Sequence, residues 1–176
     1  YYNGEIRYLV QEDESRETFT YYPGNGFSKN SVAKTQTICL DSRKYNTVAY
    51  NIDDNNYFKL RDIAQILNGT IKTFDVKYDG ATNSIDMLSF YDYTSVGGEL
   101  TPGDDVTRTA FSSSAFLTLD GVPIKATCYN IDGNNYFKLR DITDALDCRV
   151  EWDDNNQLIW VVPSVPAYDD PNEAVG

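Results

Sequence analysis

The stretch Tyr-Asn-Ile-Asp-x-Asn-Asn-Tyr-Phe-Lys-Leu-Arg-Asp-Ile occurs twice, at Tyr50–Ile63 and at Tyr129–Ile142. At an offset of 79 residues, 14 of the 18 positions from Tyr50 to Leu67 are identical to Tyr129–Leu146. The chain must therefore build one structural unit twice, which favours binding or spacing over a single large active site. A unit of roughly 55 residues buries only ~60% of its unfolded surface and is marginal alone. The two copies are expected to lean on each other or on the N-terminal segment.

Around the motif the order of elements repeats too. In the first copy the pattern predicts strands over Thr37–Leu40 and Thr47–Ile52. Asp53-Asp54-Asn55-Asn56 reads as a turn, because Asp and Asn satisfy backbone donors locally and tolerate left-handed conformations. Tyr57-Phe58 leads into a predicted helix over 59–68, where Leu60, Ile63, Ala64 and Leu67 recur at i, i+3, i+4 and i+7. Gly69 stands where a left-handed cap is expected, and strands are predicted over Lys72–Tyr78 and Ser84–Ser89. The second copy predicts Phe116–Leu119, Ile124–Ile131, a helix burying Leu139, Ile142, Thr143 and Leu146, then Val150–Trp152 and Leu158–Val162. Val76, Tyr78, Asp79 and Ile85 align with Val150, Trp152, Asp153 and Ile159 once five extra residues are allowed in the first copy. Short amphipathic helices do not stand alone in water, so each is placed against a sheet, with Leu60 and Leu139 in two small cores.

The expected organisation is an N-terminal extension at 1–34, repeat 1 at 35–90, a Gly- and Pro-containing connector at 91–113, repeat 2 at 114–163 and a polar tail at 164–176. In the extension, Ile6–Val10 and Thr18–Tyr22 read as strands, either a hairpin extending the first repeat or the end of an upstream module. Residues 1–33 match neither repeat.

The unit resembles the copper amine oxidase N-terminal-domain-like repeat, or stalk domain, found in tandem in secreted and surface proteins of Gram-positive bacteria. The resemblance rests on the long motif, the following Val-x-Tyr/Trp-Asp turn and the connector Tyr93-Thr94-Ser95-Val96-Gly97-Gly98-Glu99-Leu100. It implies an α+β fold of two tandem repeats, each a five-stranded antiparallel sheet curved around one short helix. It also implies export, as a secreted or cell-surface protein. The chain opens at Tyr1 without a Met or a signal peptide, so its terminus carries no information on location. Oxidase activity is not implied, because the unit corresponds to an accessory domain of those enzymes.

Copper(II) favours nitrogen donors, and this chain has no His. Asn56-Tyr57 and Asn135-Tyr136 are followed by Phe rather than by the acidic residue of a quinone-forming site, so amine oxidase activity is rejected on both counts. Without His there is no Ser-His-Asp set and no usual zinc site. With 27 acidic residues some carboxylate pair always lies within reach, which keeps a carboxylate-dependent hydrolase as a third reading only. The oxygen-rich runs Asp53–Asn56, Asp132–Asn135 and Asp153–Asn156 suit calcium, but Tyr57 occupies the third ligand position of the first, and they read as hairpin turns. Weak calcium binding there stays open, and no catalytic, cofactor-binding or metal residue is assigned. Arg61-Asp62 and Arg140-Asp141 read as helix-start residues, the Asp complementing the helix dipole. Cys39, Cys128 and Cys148 make no disulfide framework; they read as buried free thiols, with a Cys128–Cys148 bridge as the alternative.

A net charge of −12 argues against nucleic acid and against docking on anionic membranes or an anionic polymer such as a teichoic acid. No apolar run approaches the ~20 residues that span a bilayer. Aromatic residues are the remaining lead: they make up 14% of the chain, with 14 Tyr, more than two thin cores require. Tyr57, Tyr136, Phe58 and Phe137 read as wedges between helix and sheet. Tyr91, Tyr93, Tyr21 and Tyr22, with Tyr1 and Tyr2, fall outside the repeats' cores and are the candidate surface residues. A flat apolar face with a polar tip suits sugar rings and protein partners. The sequence thus points to a non-enzymatic, exported structural or interaction module, a stalk or spacer with a protein partner. The alternative is a glycan- or cell-wall-binding module that uses surface aromatics.

Overall fold

The computed structural model describes residues 28–163; the strands expected at Ile6–Val10 and Thr18–Tyr22 and the tail at 164–176 lie outside them. The first half holds β1 (Ser28–Val32), β2 (Lys34–Leu40), β3 (Arg43–Ile52), β4 (Asn55–Lys59), α1 (Leu60–Leu67), β5 (Phe74–Asp79) and β6 (Ser84–Ser89). The second holds β7 (Thr107–Ser112), β8 (Phe116–Leu119), β9 (Val122–Pro123), β10 (Cys128–Ile131) and β11 (Asn134–Lys138). It closes with α2 (Leu139–Ala145), β12 (Cys148–Asp153) and β13 (Leu158–Pro163).

Local structure follows the sequence closely. Two-residue turns join β3 to β4 and β10 to β11, with Ile52 opposite Asn55 and Ile131 opposite Asn134. Both central residues of each turn have positive φ: 50° and 60° at Asp53 and Asp54, 49° and 80° at Asp132 and Gly133. That geometry matches the twist of the flanking strands, and Asp and Gly tolerate it. Both helices bury the stripe their period predicts: Leu60, Ile63, Ala64 and Leu67 on α1, and Leu139, Ile142 and Thr143 on α2 with Leu146 just beyond its end.

The strands combine differently from the expectation. The protein is mostly β, with a nine-stranded sheet ordered β1-β7-β10-β11-β4-β3-β2-β13-β12 and a four-stranded sheet ordered β5-β6-β8-β9. This overturns the α+β arrangement of two five-stranded antiparallel sheets, each around one helix. Three pairings between the repeats account for it. Strand β4 runs antiparallel to β11, with Phe58 opposite Phe137. Strand β13 runs parallel to β2, with Ile159 opposite Ile38. Strand β6 runs parallel to β8, with Ile85 opposite Leu117. The closing hairpin of each repeat therefore adds to the opening strand of the other. All but one of the pairings have a counterpart under the repeat alignment, with a pseudo-twofold axis between Phe58 and Phe137; the exception is β7 with β10, which no ladder between β1 and β3 matches. The opening strands share little sequence, Leu40 with Leu119 being the one identity between residues 34–40 and 113–119, but their backbones offer the same ladder positions, and exchanging equivalent elements between such units costs little.

Strand β1 pairs antiparallel with β7, Asn30 opposite Thr109, again 79 positions apart. Residues 28–33 and 107–112 thus occupy equivalent places although they share no identity. Each repeat begins earlier than expected, and both the N-terminal extension and the connector contribute a strand. The strand expected over Ile124–Ile131 is broken into β9 and β10, whereas its counterpart β3 runs unbroken for 10 residues. That continuity merges one side of the molecule into the large sheet and leaves the other as a separate four-stranded one.

Successive residues of a strand face opposite ways, and along β4 and β11 this divides two cores. Phe58 and Phe137 join Ile38, Leu67, Met87 and Ile142 in one core that contains both helices, rather than one small core per repeat. Tyr57 and Tyr136 face the other way, into a core with Tyr50, Ile52, Ala110 and Ile131. The wedge role expected of all four aromatics therefore holds for the phenylalanines alone. Edge-to-face pairs recur across the axis, with Tyr50–Tyr136 centroids 4.9 Å apart and Tyr57–Tyr129 centroids 5.1 Å apart. Much of the tyrosine surplus is structural. All three cysteines are buried and unbridged, and burial pushes the Cys128 and Cys148 thiols up to about 11.

Candidate functional site

Two grooves, of about 870 and 500 Å³, open where the repeats meet. In the larger, repeat 1 supplies Lys59, Leu60 and Arg61 at the start of α1, with Val76, Tyr78 and Ile85 from the β5–β6 hairpin. Repeat 2 supplies Asn130, Asn134 and Asn135 from the β10–β11 hairpin. The smaller groove reverses the roles. Lys138, Leu139 and Arg140 stand with Val150, Trp152 and Ile159 from repeat 2, facing Asn51, Asn55 and Asn56 from repeat 1. Each residue of one set aligns with its counterpart in the other, so one groove is built twice. A lone repeat has only half of either wall.

Tyr78 and Trp152 are 56% and 43% exposed. Trp152 is held by its indole N–H, which donates to Asp154 Oδ1 at 2.7 Å. The amides opposite are fixed in matched pairs: Asn51 Nδ2 donates to Asn56 Oδ1 at 3.1 Å, and Asn130 Nδ2 to Asn135 Oδ1 at 3.2 Å. Asn55 and Asn134 each donate to the carbonyl of the turn residue two positions back, Asp53 and Asp132. Among the described residues this leaves Asn51 Oδ1, Asn55 Oδ1 and Asn56 Nδ2 without a partner, and likewise their counterparts. Each groove thus combines an exposed aromatic face with unused amide donors and acceptors.

The candidate residues of the sequence fall elsewhere. Tyr91 is 63% exposed at the end of β6 beside the exposed Phe90, but it lines neither groove. Tyr93 is corrected from surface to interior. Its hydroxyl donates to Glu99 Oε1 at 2.6 Å and its N–H to Asn68 Oδ1 at 3.0 Å, and burial pushes the phenol up to about 12. Burial alone would raise the Glu99 carboxyl, but hydrogen bonds from Tyr93, the Val96 N–H and Ser95 outweigh it and hold the group at about 2. The connector is a latch folded onto repeat 1. Tyr21 and Tyr22, like Tyr1 and Tyr2, lie outside the described residues. Sequence reasoning passed over Tyr78 and Trp152 as ligand residues; the available signal was an aromatic residue at the same aligned position of both copies.

Of the five turn carboxylates read as calcium candidates, Asp53, Asp132, Asp153 and Asp154 are engaged within the protein. Asp53 pairs with Lys29, and Asp132 accepts from Arg108 Nε at 2.6 Å. Among the described residues no three His, Cys, Asp or Glu side chains gather into a metal cage. No carboxylate lines the larger groove, and Asp54 alone lines the smaller. No helix among the described residues is long and apolar enough to cross a membrane. Compared with family models, curated proteins and solved structures, the chain gives no match.

Proposed function

We propose that this chain is a non-enzymatic glycan-binding module whose two repeats together build two equivalent sugar sites. The observation that carries this reading is the groove built twice, with Tyr78 or Trp152 sharing it with asparagine amides that keep unused donors and acceptors. The C–H face of a sugar ring stacks on an aromatic face, and its hydroxyls exchange hydrogen bonds with amide donors and acceptors. Neither groove gathers the two carboxylates that glycoside hydrolysis requires, which supports binding without cleavage. The resemblance to exported stalk repeats supports a setting at the surface of Gram-positive bacteria, with cell-wall glycan as the partner.

A second reading, a stalk or spacer, is supported by the exchanged hairpins, which make the two repeats one interlocked body. Pull-down on bacterial cell walls and insoluble polysaccharides separates the two. For a glycan binder, Tyr78→Ala and Trp152→Ala each lose up to about tenfold in affinity, in line with aromatic contacts worth ~0.5–1.5 kcal/mol. The double variant releases the polymer. Retention of no polymer by the wild-type chain leaves the spacer reading.

A further inference from the structure

The charge lining the grooves runs against the charge of the chain. Residues 28–163 hold 19 acidic and 13 basic residues. In that proportion five basic residues would bring about seven acidic ones. The two grooves gather Lys59, Arg61, Lys34, Lys138 and Arg140, and the acid that accompanies them is Asp54 alone. Only Lys34 of the five is neutralised by an ion pair, with Asp105 at 2.6 Å. Lys59 and Arg61 form no ion pair and hydrogen-bond to neutral oxygens, the Gly98 carbonyl at 3.4 Å and the Tyr93 hydroxyl at 3.5 Å, with the buried Asp62 carboxyl also within the field of Lys59. Lys138 and Arg140 have no side-chain partner among the described residues. The same Lys-Leu-Arg triplet therefore delivers two cations without a carboxylate partner to each groove, beside the exposed aromatic and the amides.

We infer that each groove takes an acidic sugar unit, one whose ring stacks on Tyr78 or Trp152 while its carboxylate meets Arg61 or Arg140. This rests on the glycan-binding reading and narrows it to carboxylate-bearing polysaccharides. A planar guanidinium matches a carboxylate with two parallel N–H donors. The net charge of −12 does not oppose this at physiological salt, because charges farther than ~8 Å are screened and the groove's own cations set the local potential. On this inference the groove cations offset locally the disfavour that net charge predicts for an anionic polymer.

The test compares polygalacturonate, alginate and hyaluronate with their carboxyl-reduced, neutral forms in affinity electrophoresis, using the full chain at physiological salt. At least one acidic polymer is expected to bind tenfold or more tightly than its reduced form. Arg61→Gln with Arg140→Gln should abolish that preference, so that acidic and reduced polymers bind alike, with far-UV circular dichroism showing that the variant is folded. Equal affinity for acidic and reduced polymers, or a preference that survives the double substitution, overturns the acidic-unit inference and leaves glycan binding standing. If none of the six polymers is retained, the acidic-unit inference falls, and the glycan reading is decided separately by the pull-down on cell walls and insoluble polysaccharides.

Discussion

Asp62 shows how one side chain in the repeated motif takes a role its twin lacks. Its carboxylate is buried, accepting from the Thr47 hydroxyl and from the Leu100 N–H at 3.0 Å. Asp141, its counterpart, accepts from the Thr127 N–H at 2.8 Å and stays partly exposed. Burial raises the Asp62 carboxyl above its ordinary 3.8, against the lowering pull of the Thr47 and Leu100 hydrogen bonds. The folded state thus holds this proton more tightly than the unfolded one, and stability from this group falls as pH rises from 3.8 through the raised value. Asp62→Asn keeps an acceptor for Leu100 and offers Thr47 a donor, so it is expected to match or exceed wild-type stability at pH 7. Asp62→Ala strands the Thr47 hydroxyl and the Leu100 N–H and should cost ~1–3 kcal/mol. Urea denaturation of the three proteins at pH 4 and pH 7 checks the order, and an Asn variant much weaker than wild type at pH 7 would refute it.

The part of the connector before β7, residues 91–106, holds no strand, yet it is fastened at both ends. Glu99 gathers the Tyr93 and Ser95 hydroxyls and the Val96 and Gly97 N–H groups. Farther on, Asp105 N–H donates to the Ala33 carbonyl and Ala33 N–H to the Val106 carbonyl. Gly103 passes so close to the β1–β2 junction that an added Cβ would lie 2.4 Å from the Ala33 carbonyl oxygen and 2.4 Å from the Lys34 carbonyl carbon. Both obstacles are backbone and cannot rotate aside. Gly103→Ala is therefore expected to lose ~1–3 kcal/mol or more, the cost of overpacking a filled space. An unchanged urea midpoint would mean that the connector does not sit against this junction.

The exchange of hairpins makes the two repeats thermodynamically one object. Leu139 is 4% exposed in a core that also contains Leu60, Phe74 and Ile159. Leu139→Ala should cost ~2–5 kcal/mol, and the loss is expected across the whole molecule rather than in the second repeat alone. Tryptophan fluorescence, reporting from Trp152 and Trp160 near the C-terminal hairpin, should trace the same unfolding curve as far-UV circular dichroism in both proteins. Two separated transitions would show that the repeats fold independently and that the exchange is wrong. The binding proposal shares this dependence, since each groove needs a helix start from one repeat and an asparagine hairpin from the other.

The duplication, the order of elements within each unit, the two Asp-led turns and the buried stripes of both helices were legible in the sequence. Each depends on interactions a few residues apart, and period and turn chemistry encode those directly. What the tertiary structure alone decided is which strand lies beside which. The hairpin ending at Ser89 has equivalent backbone edges to choose from, β2 in its own repeat and β8 in the other, and local period does not tell them apart. Strands β1 and β7 escaped notice because their kinship survives only as Ser28 with Thr107 and Lys29 with Arg108. The grooves were hidden for the same reason: Tyr78 shares a groove with Asn134, and Trp152 with Asn55, only after the hairpins cross between repeats.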